Sequence, residues 1–139
     1  MSQRPASASQ AGLTAIPLVK VGGAFTVPVI INGIIPLNFV VDSGASDVSI
    51  PADVVLTLMR TGTITQSDFM GDQTYRLADG TTVKSKTFRI RQIKVGDRII
   101  QNVRGSIADV NGSLLLGQSF LSRFDRISFD YGRQVLLLE

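Results

Sequence analysis

The sequence lacks the two residue types that carry much of the nucleophilic and metal chemistry of proteins, because its 139 residues include no histidine and no cysteine. Without histidine there is no Ser-His-Asp triad, Cys-His dyad or imidazole metal ligand. Without cysteine there is no thiolate nucleophile, disulfide or cysteine-based zinc site. Of the eleven acidic residues only the last, Glu139, is a glutamate. Acid–base chemistry near neutral or acidic pH must therefore depend mainly on aspartate.

Dense charge clusters and uninterrupted apolar runs are also missing. The formal net charge is +3 and the fourteen lysines and arginines are dispersed along the chain. We interpret them as a solvated basic surface and expect no nucleic-acid partner. The uncharged stretch from Val21 to Val41 has the length of a membrane span. Glycine, proline and asparagine interrupt this stretch as they do in a hairpin, so we expect no membrane segment.

The length predicts a single domain, and the composition of the first residues predicts a short arm before it. Residues 1–14 are rich in serine, alanine and glutamine, and we expect them to form a flexible N-terminal arm. The folded domain is predicted over residues 15–139. The arm has no apolar core of the kind found in signal peptides.

What remains is a pattern of short β-strands. Asn32-Gly33, Asp79-Gly80 and Gly96-Asp97 each lie between apolar or β-branched runs, which is the strongest local signal for a hairpin. Two segments read as short helices, Pro51–Arg60 and Gln118–Phe124. The predicted strands include Thr82–Phe88, residues 99–103 and residues 106–110. About nine strands with two helical inserts predict an all-β architecture.

The triplet Asp42-Ser43-Gly44 is the first candidate for chemistry. Taken alone it is an ordinary turn, because Asp and Ser bond their own backbone and Gly accepts positive φ. Its surroundings in the sequence are not those of an ordinary surface turn. Asp42 directly follows the apolar run of residues 39–41, which predicts a buried strand. The nearest basic residues in sequence are Lys20 and Arg60. A partly buried carboxylate needs a partner, and a second carboxylate that shares a proton is one.

A second element follows late in the chain, where an apolar run ends at Gly117 and leads into the second helix. Together these parts resemble the retropepsin-like aspartic proteases of clan AA, the single-domain relatives of pepsin and of retroviral proteases, and bacterial members in particular. The resemblance rests on the order of four segments and covers the chain from about Val19 to Leu138. The segments are Phe39–Ser46, the hairpin at residues 78–81, Leu115-Leu116-Gly117 and Gln118–Phe124.

The resemblance implies an all-β, closed β-barrel of the acid protease type with a flap hairpin and one or two short helices. It implies that Asp42 is the catalytic residue. The active-site loop would continue through Ser43, Gly44, Ala45 and Ser46, and the flap that covers the substrate would be Ala78, Asp79, Gly80 and Thr81. Leu115, Leu116 and Gly117 would support the loop from behind.

The same resemblance implies an aspartic endopeptidase that acts on an extended polypeptide as a homodimer, without a cofactor or metal. The chain has one Asp-Ser-Gly triplet, so the second aspartate would come from a second copy. Apolar specificity pockets are expected, with Val48, Ile50, Leu77 and Leu115 as candidates to line them. Two departures are Ser43 in place of the commoner threonine and a flap tip with Gly80 as its one glycine.

Three alternatives remain open on the sequence. The same fold can serve as a catalytically idle peptide-binding or dimerisation module. A nucleic-acid-binding β-barrel is less favoured, because aromatic residues are not interleaved with the basic ones. Cleavage of the chain's own arm, residues 1–14, is a third. The compartment is left open, and a truncated form of a membrane-anchored or periplasmic bacterial protein is compatible with the sequence.

Overall fold

The computed structural model describes residues 12–139, and in that part of the chain strands dominate. There are two α-helices, α1 (Ala52–Arg60) and α2 (Gln118–Leu121), and one 3-10 helix, Gln66–Asp68. The prediction of an all-β fold with small helical inserts is confirmed. The strands are β1 (Thr14–Pro17), β2 (Val19–Val21), β3 (Ala24–Ile31), β4 (Ile35–Val41), β5 (Val48–Pro51), β6 (Phe69–Met70), β7 (Tyr75–Arg76), β8 (Thr82–Val83), β9 (Thr87–Val95), β10 (Arg98–Ala108), β11 (Leu115–Leu116), β12 (Ile127–Asp130) and β13 (Val135–Leu138).

Six of these strands close into a barrel, as predicted. The order is β3-β4-β11-β5-β10-β9, and β9 pairs back onto β3. The short β11 lies between β4, to which it is parallel, and β5, to which it is antiparallel. This insertion brings the end of β4 next to the segment that follows β11, although the two are far apart in sequence.

Hairpin turns and an apolar interior explain why this sequence closes a barrel. At the β3–β4 turn Asn32 and Gly33 have φ of 50° and 71°, the positive values that the Asn-Gly pair predicts. Along β3 the side chains of Val27, Val29 and Ile31 alternate into the core and are fully buried. The side chain of Phe39, on β4 opposite Val27, is also fully buried.

A separate three-stranded sheet has the order β1-β13-β12 and joins the two ends of the described chain. Thr14, which the sequence analysis placed in the flexible arm, is the first residue of β1, pairs with Leu138 and is buried. The first described strand therefore begins one residue before the predicted domain boundary at residue 15. The rest of the predicted arm, residues 1–11, lies outside the described residues. None of the helices described over residues 12–139 is long and apolar enough to cross a membrane.

Two strand boundaries differ from the sequence prediction. The predicted strand from Thr82 to Phe88 is divided, because the Ser85 hydroxyl accepts a hydrogen bond from the Thr87 amide and the chain bends there. The predicted strands over residues 99–103 and 106–110 are one strand, β10, in which Asn102 takes φ of 57°. Asparagine tolerates that left-handed conformation, so the strand continues through it.

Candidate active site

Asp42 lies immediately after β4, where the barrel strand ends. The Val40 amide donates to the Leu114 carbonyl at 2.9 Å, and the Asp42 amide donates to the Leu116 carbonyl at 3.0 Å. These hydrogen bonds fix the end of β4 against β11. Asp42 is half-buried, so its carboxylate lies at the boundary between the core and solvent.

The residues after Asp42 form a tight loop around its carboxylate. The Gly44 amide donates to Asp42 Oδ1 at 2.9 Å, and the Ala45 amide donates to the Asp42 carbonyl at 3.2 Å. The turn predicted for Asp-Ser-Gly is therefore present. The turn also fixes the side chain of Asp42, because the Gly44 N–H points at one of its carboxylate oxygens.

The segment after β11 holds the other side of this loop. The amides of Gln118 and Ser119 donate to the carbonyls of Ala45 at 2.8 Å and Ser46 at 2.9 Å. The two backbones approach so closely at Gly117 that an added Cβ would lie 2.2 Å from the Asp47 carbonyl oxygen. The structure thus brings together the predicted active-site loop at residues 42–46 and the predicted supporting segment at residues 115–117.

Two supporting contacts were not predicted from the sequence. The Ser119 hydroxyl donates to the Arg104 carbonyl at 2.6 Å and accepts from the Val48 amide at 3.1 Å, so one side chain links α2, β5 and β10. Arg104 Nε donates to Asp47 Oδ1 at 2.7 Å. No spacing rule could reveal these pairs, because serine in a short helix and arginine on an exposed strand are common without such contacts.

Replacing Ser119 with alanine tests this link. Ser119→Ala removes both hydrogen bonds and leaves two backbone groups unpaired in a partly buried place. We expect the free energy of unfolding to fall by about 2 kcal/mol in urea titrations. Ser122→Ala is the control, since Ser122 is exposed on the same segment. Equal stability of the two variants would contradict the link.

The predicted flap residues form a hairpin tip, and an ion pair joins this tip to helix α1. Strands β7 and β8 pair around residues 78–81. Asp79 Oδ1 accepts from the Thr81 amide at 2.8 Å, and Asp79 Oδ2 pairs with Arg60 at the end of α1 at 3.3 Å. The hairpin is thus anchored to α1, and its role over a substrate stays a prediction.

The stability of the hairpin tip depends on pH through the carboxyl group of Asp79. Hydrogen bonds from Thr81, and then the charge of Arg60, lower the pKa of Asp79 below its ordinary value of 3.8. A lowered pKa in the folded state stabilises the tip above pH 3.8, and the contribution is lost as the pH falls through the folded-state value. We expect the Asp79 carboxyl carbon to titrate below 3.8 by NMR. The midpoint should rise both in Thr81→Val and in Arg60→Gln. An unchanged midpoint in both variants would contradict this cause.

A groove of about 340 Å³ opens beside the active-site loop. Its walls combine apolar side chains of β12 and the α2 segment, such as Leu121, Phe124 and Phe129, with Ser43 and Gln118 at the loop. Of the four residues expected to line specificity pockets, Val48, Ile50 and Leu77 are buried in the core and are unavailable to a ligand. The expectation was wrong for those three, because the barrel interior uses the apolar residues that flank the loop. Leu115 is half-buried.

Part of the basic surface is engaged in ion pairs with a buried carboxylate. The exposed Arg89 and Arg91 both lie within ion-pair distance of the buried carboxylate of Asp68, at 3.7 and 3.4 Å. Over residues 12–139 there is no cluster of three or more acidic side chains that could hold a metal ion.

A barrel whose inserted strand places an Asp-Ser-Gly loop against an apolar-apolar-Gly segment is the architecture of an acid protease. The family model described as "gag-polyprotein putative aspartyl protease" matches residues 27–123, which is more than half of the chain. The protein belongs to this family of retropepsin-like aspartic proteases of clan AA, which confirms the resemblance seen in the sequence.

Structural comparison shows the same fold. A retropepsin-like aspartic protease from Rickettsia conorii superposes with a TM-score of 0.61 and 22% sequence identity. The match covers 91% of this chain and 90% of the rickettsial chain. No curated protein sequence matches this chain.

Proposed function

We propose that the protein is an aspartic endopeptidase that acts as a homodimer, with one Asp42 from each subunit. The observation that supports this most is the setting of Asp42. Its carboxylate is half-buried at the end of a barrel strand, accepts a backbone N–H, and lies in a loop held from behind by residues 117–119. These contacts fix the position of one carboxylate, as is expected for a group whose position matters for catalysis.

The proposed reaction needs two such carboxylates about 3 Å apart, which cannot both be ionised and so hold one proton between them; aspartic proteases are a standard case of this behaviour. The ionised carboxylate takes a proton from a water molecule as the water oxygen bonds to the peptide carbonyl carbon. The protonated carboxyl polarises the carbonyl oxygen. The C–N bond then breaks, and the leaving nitrogen receives a proton from the pair.

The second carboxylate is proposed to be Asp42 of the partner subunit, because the chain has one Asp-Ser-Gly triplet. A twofold axis beside the loop would place the same residue from both chains face to face. Ser43 is exposed next to Asp42. Its hydroxyl is therefore available to bond across the axis and fix the two loops relative to each other.

The substrate is proposed to be an extended polypeptide. A strand-like peptide would lie over the two loops and pair its main chain with the hairpin at residues 78–81, as in other cases of β-augmentation. The supporting observation is that this hairpin is a separate two-stranded sheet, anchored to α1 by the pair of Asp79 with Arg60. Its backbone pairing is therefore independent of the barrel ladder, while Leu77 and Val83 pack into the core beneath it.

Subunit mixing tests the shared site. In a dimer that needs Asp42 from both chains, an Asp42→Asn subunit inactivates the wild-type subunit with which it pairs. At a ninefold excess of the variant, about one tenth of wild-type chains still pair with each other, so the activity per wild-type chain should fall about tenfold.

The control is the same excess of an Asp109→Asn variant, since Asp109 is exposed and directly follows β10. That mixture should cleave at least as fast as the wild type alone. A wild-type activity that is unaffected by excess Asp42→Asn, with subunit exchange verified by labelled chains, would show that one chain carries the whole site.

A further inference from the structure

The peptide unit between Ser43 and Gly44 is hydrogen-bonded at both ends. On one side the Ser43 carbonyl oxygen accepts a hydrogen bond from the Gln118 side-chain amide at 2.8 Å. On the other side the Gly44 N–H donates to Asp42 Oδ1 at 2.9 Å. The same peptide plane thus connects a side chain 75 residues away to the carboxylate.

The two hydrogen bonds are coupled because a peptide is planar and trans, so its carbonyl and N–H point in opposite directions. A donor that fixes the carbonyl therefore also fixes the direction of the N–H. This constraint is needed here because the next residue is glycine, which lets the plane rotate with little steric penalty. Without a partner on the carbonyl, the Gly44 N–H would be free to turn away from Asp42.

Of the contacts that residues 118 and 119 make with the loop backbone, the one that depends on the identity of the residue is the hydrogen bond of the Gln118 side chain. The backbone amides of Gln118 and Ser119 hold Ala45 and Ser46, and any non-proline residue at those positions would supply them. The Gln118 side chain itself is exposed at the rim of the groove, so burial does not explain its identity. A donor that reaches the Ser43 carbonyl does explain it, and methionine or leucine of similar length could not replace it.

We infer that Gln118 is a positioning residue, which orients the Ser43–Gly44 peptide so that its N–H stabilises the ionised carboxylate of Asp42. The effect of this on cleavage rests on the proposed function, whereas the geometry itself does not. The charged residues that line the groove with Gln118 are Asp125 and Arg126, and the carboxylate of Asp47, just after the loop, is paired with Arg104.

An NMR titration tests the geometry without any need for activity. In the wild type, the Gly44 amide proton should move downfield as Asp42 ionises, because the N–H then points at a charged acceptor. The Asp42→Asn variant identifies which part of the response comes from Asp42 rather than from Asp47 or Asp125. In Gln118→Met the Asp42-dependent response should fall to less than about half, because the carbonyl has lost its donor.

Cleavage assays test the consequence. A carboxylate that loses a hydrogen-bond donor binds a proton more readily, so the acid limb of the kcat/KM profile should move to higher pH in Gln118→Met. In Gln118→Glu the introduced carboxyl can donate only when protonated, below about pH 4.3 for an ordinary glutamate. It should outperform Gln118→Met in acid and fall below it near neutral pH. Gln101→Met, an exposed residue of β10, is the control.

The outcomes separate the two claims. A Gly44 amide that responds to Asp42 equally in wild type and Gln118→Met overturns the inference, whatever the cleavage assays show. A lost NMR response, with equal thermal stability of the two proteins, supports it even if the wild type cleaves nothing, in which case the proposed function alone fails. If the wild type cleaves and both Gln118 variants keep its pH profile, the catalytic part of the inference is overturned.

Discussion

The Asp42→Asn variant should fold and dimerise as the wild type does and should cleave peptides at least about 10³-fold more slowly, since general acid–base groups typically contribute 10²- to 10⁴-fold. The amide has the shape of the carboxylate and can still accept the Gly44 N–H through its oxygen. It cannot take a proton from water. Both copies in the dimer change at once, so no ionised carboxylate remains in the proposed pair.

The comparison should use an unfolded protein substrate from acidic to neutral pH, with Asp109→Asn as the matched control. That residue is exposed after β10, and its variant should keep the wild-type rate within about twofold, as surface changes of about 0.5 kcal/mol would allow. Cleavage by Asp42→Asn at the wild-type rate would contradict the role of Asp42. Binding of peptides by wild type and variant without cleavage by either would favour the idle peptide-binding module.

Gly117→Ala should be the most damaging single substitution behind the loop. The added Cβ would lie 2.2 Å from the Asp47 carbonyl oxygen and 2.6 Å from the Ala45 carbonyl oxygen. Both atoms belong to the backbone, so neither can rotate away and the loop itself must move. We expect the free energy of unfolding to fall by about 3 kcal/mol, the upper part of the range for overpacking.

The same displacement should reduce kcat/KM by about 10² or more in the fraction that stays folded, because misplacing a catalytic group by about 1 Å has that effect. Gly132→Ala is the control, since the nearest atom to its added Cβ is Asp130 Oδ1 at 3.5 Å, an ordinary contact. Urea titration gives the stabilities of both variants. A Gly117→Ala protein as stable as Gly132→Ala would show that the close approach at Gly117 does not constrain the loop.

Local chemistry made much of the fold predictable. The Asn32-Gly33 turn was predictable because two successive positive φ angles suit few other residue pairs. The closure of the barrel through β11 was not predictable from local pattern, because Leu115-Leu116 is two residues long and pairs with strands on either side of Asp42. That placement came from the resemblance to a family.

The candidate site, like the fold, was predictable only in part. Asp42 is recognisable in the sequence because it follows an apolar strand and has no basic residue near it. Gly117 is recognisable because it ends an apolar run. The contacts of Gln118 with Ser43 and of Ser119 with Arg104 depend on side chains that meet across the fold. The apolar residues around the loop were misassigned to pockets for a related reason, since sequence cannot say which face of a short strand the core takes.

The central claim is that the catalytic unit contains two chains, and the direct test is to measure cleavage and molecular mass on the same samples. Sedimentation through a dilution series should show activity that follows a species of about 30 kDa, twice the 14.9 kDa of the chain, and disappears with that species on dilution. Cleavage that stays proportional to a 14.9 kDa monomer would contradict the account, because one chain supplies one Asp-Ser-Gly loop.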